Sequence, residues 1–398
     1  MSNALKIYML AMICFLVGTS EFIITGILDT VAADLGVSVS VAGQLITVFS
    51  LAYAIGTPIL MAVTARMERR KLLLYALAIF AVGNLIAIAL PGFTFLLVSR
   101  VVLAISTGVF VVTSLTVATK LAAPGKQGGA IATLIMGFSI SLIIGVPLGR
   151  VVASVYDWKL IFGVIGLLGL LAMLIIVFAI PRSNGEATVP IRKQLALLKQ
   201  PKIAIALAVT FMWFGGYSIA YTYISPYLLT ITKLSEQSVS IGLFAFGIAS
   251  LFGSKFGGYS TDRWGAPRTL VSGLLFHSIA LMLLSLAGHS PYIVFPLLML
   301  WSFTAWSTGP TQQFHLISLA PEASGIMLSL NTSVIQLSIA AGAAIGGVVV
   351  EQVSLSSISW IGATVVILGA ATATTFFRIS YSRKRREEMK CNLVETCA

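Results

Sequence analysis

Twelve long hydrophobic runs make up most of this chain. They lie at approximately residues 5–28, 40–63, 72–90, 93–119, 128–154, 159–180, 203–229, 238–260, 269–288, 292–319, 325–350 and 356–378. The hydrocarbon core of a membrane is about 30 Å thick, and a helix needs about 20 apolar residues to cross it. Because the backbone finds no water to bond inside lipid, each run is expected to be a helix. The sequence therefore predicts an all-α membrane protein with twelve transmembrane helices.

The composition indicates that lipid, rather than water, surrounds most of the chain. Hydrophobic residues make up 58% of it and charged residues only 10%, whereas soluble domains carry about 25% charged residues. Six runs fall in each half, so we expect two six-helix bundles at residues 1–180 and 203–378. Residues 181–202 are predicted to be a cytoplasmic linker, and residues 379–398 a basic cytoplasmic tail.

Two short charged loops occupy corresponding places in the two halves. Residues 64–70 and 261–268 each separate the second and third runs of their half. Arg66 and Arg263 are 197 residues apart in a chain of 398. Many secondary transporters are built from internal repeats of this kind. We therefore predict two pseudo-symmetric bundles.

Positive charge is concentrated on one side of the predicted membrane arrangement. The net charge is +12, and 20 of the 25 Lys and Arg residues fall in segments on the same side as both termini. The positive-inside rule assigns that side to the cytoplasm. The basic excess thus orients the protein and requires no nucleic-acid partner. The tail run 383–386 is expected to mark topology and to touch anionic lipid.

Residues suited to metal or cofactor chemistry are scarce. The cysteines, Cys14, Cys391 and Cys397, form neither a disulfide framework nor a metal-ligand spacing. The chain has three His residues and lacks a glycine-rich phosphate loop ending in Gly-Lys-Ser/Thr. We therefore expect no metal, no cofactor and no use of ATP.

Glu21 is the first candidate for function, because a carboxylate inside a membrane span is expensive to keep there. It lies about eight residues, or roughly 12 Å, from the outer end of its run. Arg100 reaches a similar depth in the fourth run, so the two side chains can pair or make a proton-dependent contact. A static ion pair that fixes helix packing is the alternative. Asp29, about two helical turns beyond Glu21, is either a second proton-accessible carboxylate or a water-exposed helix end.

Glycine and proline are grouped in the fifth run, at Gly145, Pro147 and Gly149. Proline removes a hydrogen bond within the helix and kinks it. Glycine allows a neighbouring helix to approach closely. The group predicts a bent and tightly packed helix.

Aromatic and amide side chains in the seventh and tenth runs are candidates for lining a substrate cavity. Tyr217 and Tyr221 are four residues apart and share a helix face, and the tenth run carries Trp301, Trp306 and Gln312. Such faces suit flat, largely neutral molecules, including nucleobases and many drugs. The alternative is that these aromatic residues belong to the membrane interface or to helix packing.

Several motifs together resemble those of the major facilitator superfamily, in particular its twelve-span drug:proton antiporters. Gly258, Asp262, Arg263 and Gly265 are similar to the superfamily's loop motif after the eighth span. Arg100 with Gly108 resembles its fourth-span motif, which is implicated in proton transfer. The group Gly145, Pro147 and Gly149 resembles the fifth-span antiporter motif. The resemblance, which covers essentially the whole chain, implies the major facilitator fold.

Further stretches resemble bacterial purine-nucleobase efflux pumps and arabinose- or drug-efflux relatives. These are residues 18–22, 64–70 and 309–313, with 331–333 and 346–349 in the eleventh run. The resemblance adds Asn331 to the cavity candidates and Arg66, Arg69 and Arg70 to the gating candidates.

Three positions depart from the pattern of this family. Ala65 and Glu68 stand where the first loop motif usually has Asp and Gly, so the gating contact of that Asp cannot be carried over. Asp29 occupies a place where relatives often have Pro.

The sequence and the resemblance together predict proton-coupled efflux of a small organic molecule from a bacterial cell across the cytoplasmic membrane. The protein is expected to be a monomer in the bilayer that exchanges its substrate for protons, with both termini cytoplasmic. A proton-coupled uptake symporter is the alternative within transport. A membrane enzyme or a non-transporting sensor is the alternative from another class, but an enzyme would need clustered His, Asp or Cys at membrane depth.

Overall fold

The computed structural model describes residues 2–123, 127–182, 196–288 and 290–395, and this part of the chain is helical without any strand. We number the long helices as spans in chain order. Spans 1 to 6 are Asn3–Gly26, Val39–Val63, Arg69–Ala89, Phe93–Leu121, the composite of Gln127–Ile140 and Val146–Val155, and Lys159–Ala179. Spans 7 to 12 are Pro201–Tyr221, Glu236–Trp264, Ala266–Ala287, Pro291–Leu319, Ser324–Gln352 and Ile358–Glu395. The predicted all-α membrane fold is confirmed.

Span 10 differs from the other spans in polarity. Within the described residues, eleven helices are long and apolar enough to cross a membrane, and span 10 is outside that set. Its length of 29 residues is sufficient, but its buried polar side chains lower its hydropathy. These side chains are Ser302, Thr304, Ser307, Thr308, Thr311, Gln312 and His315. Such residues hold membrane helices together through interhelical hydrogen bonds.

The two halves repeat one packing pattern. In the first half, span 1 packs on span 5, span 2 on span 4, and span 3 on spans 4 and 6. Six helices later, span 7 packs on span 11, span 8 on span 10, and span 9 on spans 10 and 12. The halves meet where span 2 packs on span 11 and span 5 on span 8. The repeat that the two charged loops suggested is therefore also present in the helix packing.

Successive spans run in opposite directions, so the bundle has two faces. We call the face at which span 1 begins the termini face, and the opposite one the far face. The charged loops 64–68 and 261–268 belong to the termini face. The short connections after spans 1, 5, 7 and 11 belong to the far face.

Spans 1 and 7, the first helices of the two halves, both break near the far face. Span 1 ends at Gly26, and a short helix, Leu28–Leu35, follows it. Span 7 ends at Tyr221 and is followed by the short helix Ile224–Thr230. The end of a helix leaves its last carbonyl groups without partners in the helix. Each break therefore exposes backbone acceptors that other parts of the molecule can bind.

The break in span 1 corrects the expectation for Asp29. A continuous helix over residues 5–28 would place Asp29 two turns beyond Glu21 on one face. Asp29 instead lies on the separate short helix, and its half-buried side chain is paired with Arg150. It is therefore neither on the helix face of Glu21 nor a water-exposed helix end.

Parts of the predicted linker and tail lie outside the described residues. Residues 183–195 of the linker 181–202 are among these. The helix of span 12 continues to Glu395, well past the predicted end of the run at residue 378. The side chains of the tail run 383–386 are outside the described part.

Candidate functional site

Glu21 lies where the two halves meet in the middle of the bundle. Its carboxylate Oε1 accepts a hydrogen bond of 3.1 Å from Nε2 of Gln336 in span 11. Both side chains are buried, with exposed fractions of 7% for Glu21 and 6% for Gln336. A buried carboxylate thus connects the first half to the second through a single side-chain hydrogen bond.

Arg100 lies beside Glu21 but does not bond its carboxylate in the described contacts. The guanidinium donates to the backbone carbonyls of Ser20 at 2.8 Å and Glu21 at 2.9 Å. It also lies over the ring of Phe49, 4.2 Å from the ring centroid. Depth along the helices predicted the proximity of Arg100 and Glu21, but not this backbone contact. The carboxylate therefore keeps a free oxygen although an arginine is adjacent.

Several buried polar atoms around Glu21 have no hydrogen-bond partner among the described residues. They are Glu21 Oε2, Gln336 Oε1, Arg100 Nε and Ser20 Oγ. Buried polar atoms are nearly always bonded in proteins, so unpaired ones indicate strain, water, or a ligand or ion. The two unpaired acceptors can receive a proton or the hydrogen of an N–H or O–H group. This cluster is the strongest candidate for a transport site.

Span 5 packs closely against span 1, the helix that carries Glu21. A π-helical turn, Ser141–Gly145, precedes Pro147 and interrupts the regular helix, and such turns are frequent at functional sites. A side chain on Gly145 would collide with Thr19, and one on Gly149 would collide with Ile23. The glycines of the span 5 motif thus allow the backbone of span 5 to approach span 1 on either side of Glu21.

A buried arginine joins the two halves near the far face. Arg150 of span 5 donates to Asp29 at 2.8 and 3.0 Å and to Glu236 at 2.6 Å. It also donates to the carbonyl of Gly26, at the break in span 1. Glu236 begins span 8 and belongs to the second half, so Arg150 holds one carboxylate from each half. We call Arg150, Asp29 and Glu236 the far-face ion cluster.

Further contacts close the far face. The hydroxyl of Ser225 in the second half donates to the carbonyls of Thr25 and Gly26 at 3.0 and 3.3 Å. The break of span 7 therefore binds the break of span 1. Ser40 donates to Glu351 at 3.1 Å. The inter-half bonds of Gln336, Arg150, Ser225 and Ser40 lie at the depth of Glu21 or nearer the far face.

The two charged loops at the termini face differ in their surroundings. Arg66 is exposed, Arg70 is partly exposed, and Arg69 is buried. In the second loop Asp262 and Arg263 are exposed. The loops therefore keep their predicted places but present different side chains to water.

Local geometry distinguishes the second loop. Arg263 donates to the hydroxyl of Tyr259 at 2.5 Å, one turn earlier on span 8. Gly265 joins spans 8 and 9 with a φ of 83°, a conformation that favours glycine. A side chain on Gly258 would meet no atom within 4 Å.

The aromatic candidates form a packed cluster inside the second half. Tyr217 stacks on Tyr221 with ring centroids 5.0 Å apart, and it lies 5.6 Å from Trp301 and 6.5 Å from Trp306. Trp301 is fully buried and donates to His277 Nε2 at 3.0 Å. Trp306 is only partly buried. Of the two Trp residues, Trp306 therefore retains more free surface.

Gln312 and Asn331 belong to one chain of hydrogen bonds among spans 7, 10 and 11. Gln312 Nε2 donates to the carbonyl of Ala206 at 2.6 Å and to Thr210 Oγ1 at 2.9 Å. Thr210 donates in turn to Asn331 Oδ1 at 3.0 Å. The amide nitrogen of Gln312 is thus already used in helix packing.

Gln336, Arg150 and Glu236 were not among the site residues predicted from the sequence. Gln336 is one of many polar residues in the spans and carries no charge, so nothing in its local sequence distinguishes it. Arg150 directly follows Gly149 of the span 5 motif. A charge one residue after the span 5 motif was the available signal.

The sequence also matches known proteins. The model of the Major Facilitator Superfamily matches residues 10–342 and 207–392. An uncharacterized MFS-type transporter of Bacillus subtilis (strain 168), YbcL, is 56% identical over 377 residues, which is 95% of this chain and 97% of that protein. A probable sugar efflux transporter of Helicobacter acinonychis (strain Sheeba) is 25% identical over 364 residues, 92% of this chain and 93% of its own length.

The fold is similar to that of solved structures. The crystal structure of a D-xylose-proton symporter superposes with a TM-score of 0.76 at 15% sequence identity. The match covers 94% of this chain and 98% of that one. At this level of identity the similarity concerns the fold alone.

Proposed function

The chain belongs to the major facilitator superfamily and is a membrane transporter rather than an enzyme, and from that premise we propose that it exports a small organic molecule in exchange for protons. The observation that carries the proposal is the buried Glu21 carboxylate, which has one free oxygen and one bond across the two halves. Intramembrane carboxylates of this kind mark proton and substrate pathways.

The orientation of the protein follows from its charge. The termini face has most of the Lys and Arg residues, so we assign it to the cytoplasm and the far face to the outside. Because the inter-half bonds cluster toward the far face, we take this conformation to be closed to the outside. Substrate would then enter from the cytoplasm.

Glu21 is the proposed proton site of the transport cycle. In the conformation closed to the outside, the carboxylate releases its proton toward the cytoplasm and keeps its bond to Gln336. When the far face opens, substrate leaves and a proton from outside binds Glu21. Because the Glu21–Gln336 bond crosses the halves in the conformation closed to the outside, the charge of Glu21 changes the balance between the closed and open forms. Arg100 positions the backbone of Ser20 and Glu21 throughout.

The proton gradient is sufficient to drive this exchange. Moving one charge through 100 mV is worth about 2.3 kcal/mol. A tenfold concentration ratio corresponds to about 1.4 kcal/mol, so one proton supports a roughly fiftyfold gradient of a neutral solute. We therefore propose protons as the coupling ion. We also propose that the transporter needs no cofactor and works as a monomer.

The aromatic cluster supports a flat or ring-shaped substrate. Trp306, which is partly buried beside Tyr217, offers a ring surface on which drugs, nucleobases and sugars can stack. The relative named as a probable sugar efflux transporter supports export. The structural neighbour named as a D-xylose-proton symporter supports the alternative, proton-coupled uptake, on the same fold.

Proton coupling and direction can be tested together in inverted membrane vesicles. A pH gradient, acidic inside, is formed first, and purines, sugars and cationic dyes are then added singly. Export by antiport predicts that a substrate dissipates the gradient in wild type and not in Glu21→Gln, with Arg100→Ala impaired. Asp157→Asn, which changes a loop carboxylate at the far face, is the matched control. Full substrate-dependent dissipation in Glu21→Gln would remove Glu21 as the proton site.

A further inference from the structure

A groove lies between spans 9 and 12 at the termini face. It has a volume of about 350 Å³, and its lining includes Val271 and Leu275 of span 9 and Phe377 of span 12. Arg268 and Arg378 also line it. Arg268 is in the first turn of span 9, and Leu275 lies roughly 10 Å deeper at 1.5 Å per residue. The groove is therefore basic near the membrane surface and apolar toward the membrane centre.

The hydroxyl groups in the groove are already bonded to their own helices. Ser272 donates to the carbonyl of Arg268 at 2.8 Å, and Thr374 donates to that of Ala370 at 2.7 Å. Neither hydroxyl is therefore available to donate to a ligand. The polar recognition that the groove offers comes mainly from its two guanidinium groups.

The described residues that line the groove offer no negative charge to the two arginines. Both side chains are exposed, and no carboxylate is among the described residues that line the groove. The first turn of span 9 also has no side-chain cap, so its backbone N–H groups add positive potential there. Two arginines in this setting favour an anion with several oxygens, such as a phosphate, which guanidinium groups bind in pairs of hydrogen bonds.

The groove opens toward lipid, away from the Glu21 site. Leu275 is 45% exposed on the outside of the bundle. Spans 9 and 12 pack mainly on each other and on spans 7 and 10 of the second half. A ligand that joins a phosphate to a long apolar chain matches both ends of the groove, whereas free phosphate matches only one.

We propose that this groove binds one anionic phospholipid of the leaflet at the termini face. Its phosphate lies between Arg268 and Arg378, and an acyl chain follows Val271, Leu275 and Phe377. Basic pockets between membrane helices on the cytoplasmic side are suited to anionic headgroups. The site is independent of proton-coupled export, because it uses no residue of the Glu21 cluster.

Native mass spectrometry of the purified full chain tests the site. Phosphatidylglycerol is titrated against wild type, Arg268→Gln, Arg378→Gln and the double variant. A basic residue near an anionic surface contributes about 1 kcal/mol, so each substitution should weaken the tightest binding event about fivefold. Arg182→Gln, which removes an exposed arginine elsewhere on the termini face, is the matched control and should bind like wild type.

Three further arms separate a lipid site from general charge attraction. Phosphatidylcholine with the same acyl chains should bind more weakly, and inorganic phosphate alone should neither bind tightly nor displace the lipid. Val271→Trp fills the groove without changing charge and should also reduce binding. Thermal unfolding in detergent checks that each variant is folded. Wild-type affinity in the double variant, or equal loss in Arg182→Gln, would overturn the proposal.

Discussion

Gln336 Nε2 donates to Glu21 Oε1 at 3.1 Å, and this bond links span 11 of the second half to span 1 of the first. The partner of the buried carboxylate is therefore a neutral amide on the opposite half, although the adjacent Arg100 is charged. A change in the charge of Glu21 is thus felt directly by the contact between the halves. The coupling of proton binding to movement can be tested at Gln336 without altering the carboxylate.

Replacing Gln336 with Leu should uncouple Glu21 from the second half. Hydrogen bonds to charged groups contribute about 1.5–3 kcal/mol, so we expect substrate-driven proton release to fall at least about tenfold. The measurement is dissipation of a pH gradient in inverted vesicles containing equal amounts of folded protein. Gln313→Leu, the same change at an exposed position of span 10, should leave proton release unchanged. Equal activity in both variants would show that the amide is not part of the coupling.

Replacing Glu236 with Gln should favour opening of the far face. Arg150 would keep Asp29 but lose its ionised partner in the second half. Because Glu236 is half-exposed, its ion pair is worth at most about 1 kcal/mol, which corresponds to about a fivefold shift in population. We expect a membrane-impermeant maleimide to label Thr25→Cys about fivefold faster in the Glu236→Gln background.

The matched control for the labelling experiment is Asp157→Asn. It removes an exposed far-face carboxylate that takes no part in the far-face ion cluster. Labelling of Thr25→Cys should be the same in that background as in wild type. Equal rates in the Glu236→Gln and wild-type backgrounds would mean that the ion cluster does not hold the far face closed.

Adding a methyl group at Gly145 should destabilise the contact between spans 1 and 5. The new Cβ would collide with Thr19, and overpacking of this kind costs about 1–3 kcal/mol. We expect Gly145→Ala to lower the unfolding temperature in detergent. Thr19→Ala in the same chain should restore part of the loss, since close pairs show non-additive effects. Gly129→Ala is the control, because a Cβ added at Gly129 would have no atom within 4 Å, and it should not lower the unfolding temperature. If Thr19→Ala does not restore stability to Gly145→Ala, the contact between Gly145 and Thr19 is contradicted.

Replacing Gln312 with Leu tests whether this residue contacts substrate or only packs. The change breaks bonds to Ala206 and Thr210, and leaving buried groups unsatisfied costs about 1–3 kcal/mol. We expect lower thermal stability with an unchanged KM per folded transporter. A raised KM with wild-type stability would instead place Gln312 in the substrate cavity.

The helices of the fold could be predicted from the sequence because a helix that crosses lipid needs a long run of apolar side chains. The end of span 1 could not, since residues 26–28 read Gly-Ile-Leu and stay as hydrophobic as the helix before them. At the break, Arg150 and Ser225 bind the carbonyl of Gly26 from distant parts of the chain. Contacts of this kind are set by tertiary packing.

The candidate site was also predictable only in part. The depth of Glu21 and Arg100 follows from helix geometry, so their proximity was predictable. The partner of Glu21 was not, because an uncharged glutamine among many polar residues gives no distinguishing signal until spans 1 and 11 are placed side by side. The pairing of Arg150 with Glu236 likewise requires that spans 5 and 8 be known neighbours.

The meeting of the two helix breaks has an energetic consequence. The carbonyls of Thr25 and Gly26 are bound by Ser225 when the far face is closed, and water can take the place of that hydroxyl when it opens. Exchanging a protein hydrogen bond for one to water changes the free energy by only about 1 kcal/mol. A seal made from solvent-replaceable bonds keeps the open and closed forms nearly equal in energy, which is the condition for rapid turnover under a modest driving force.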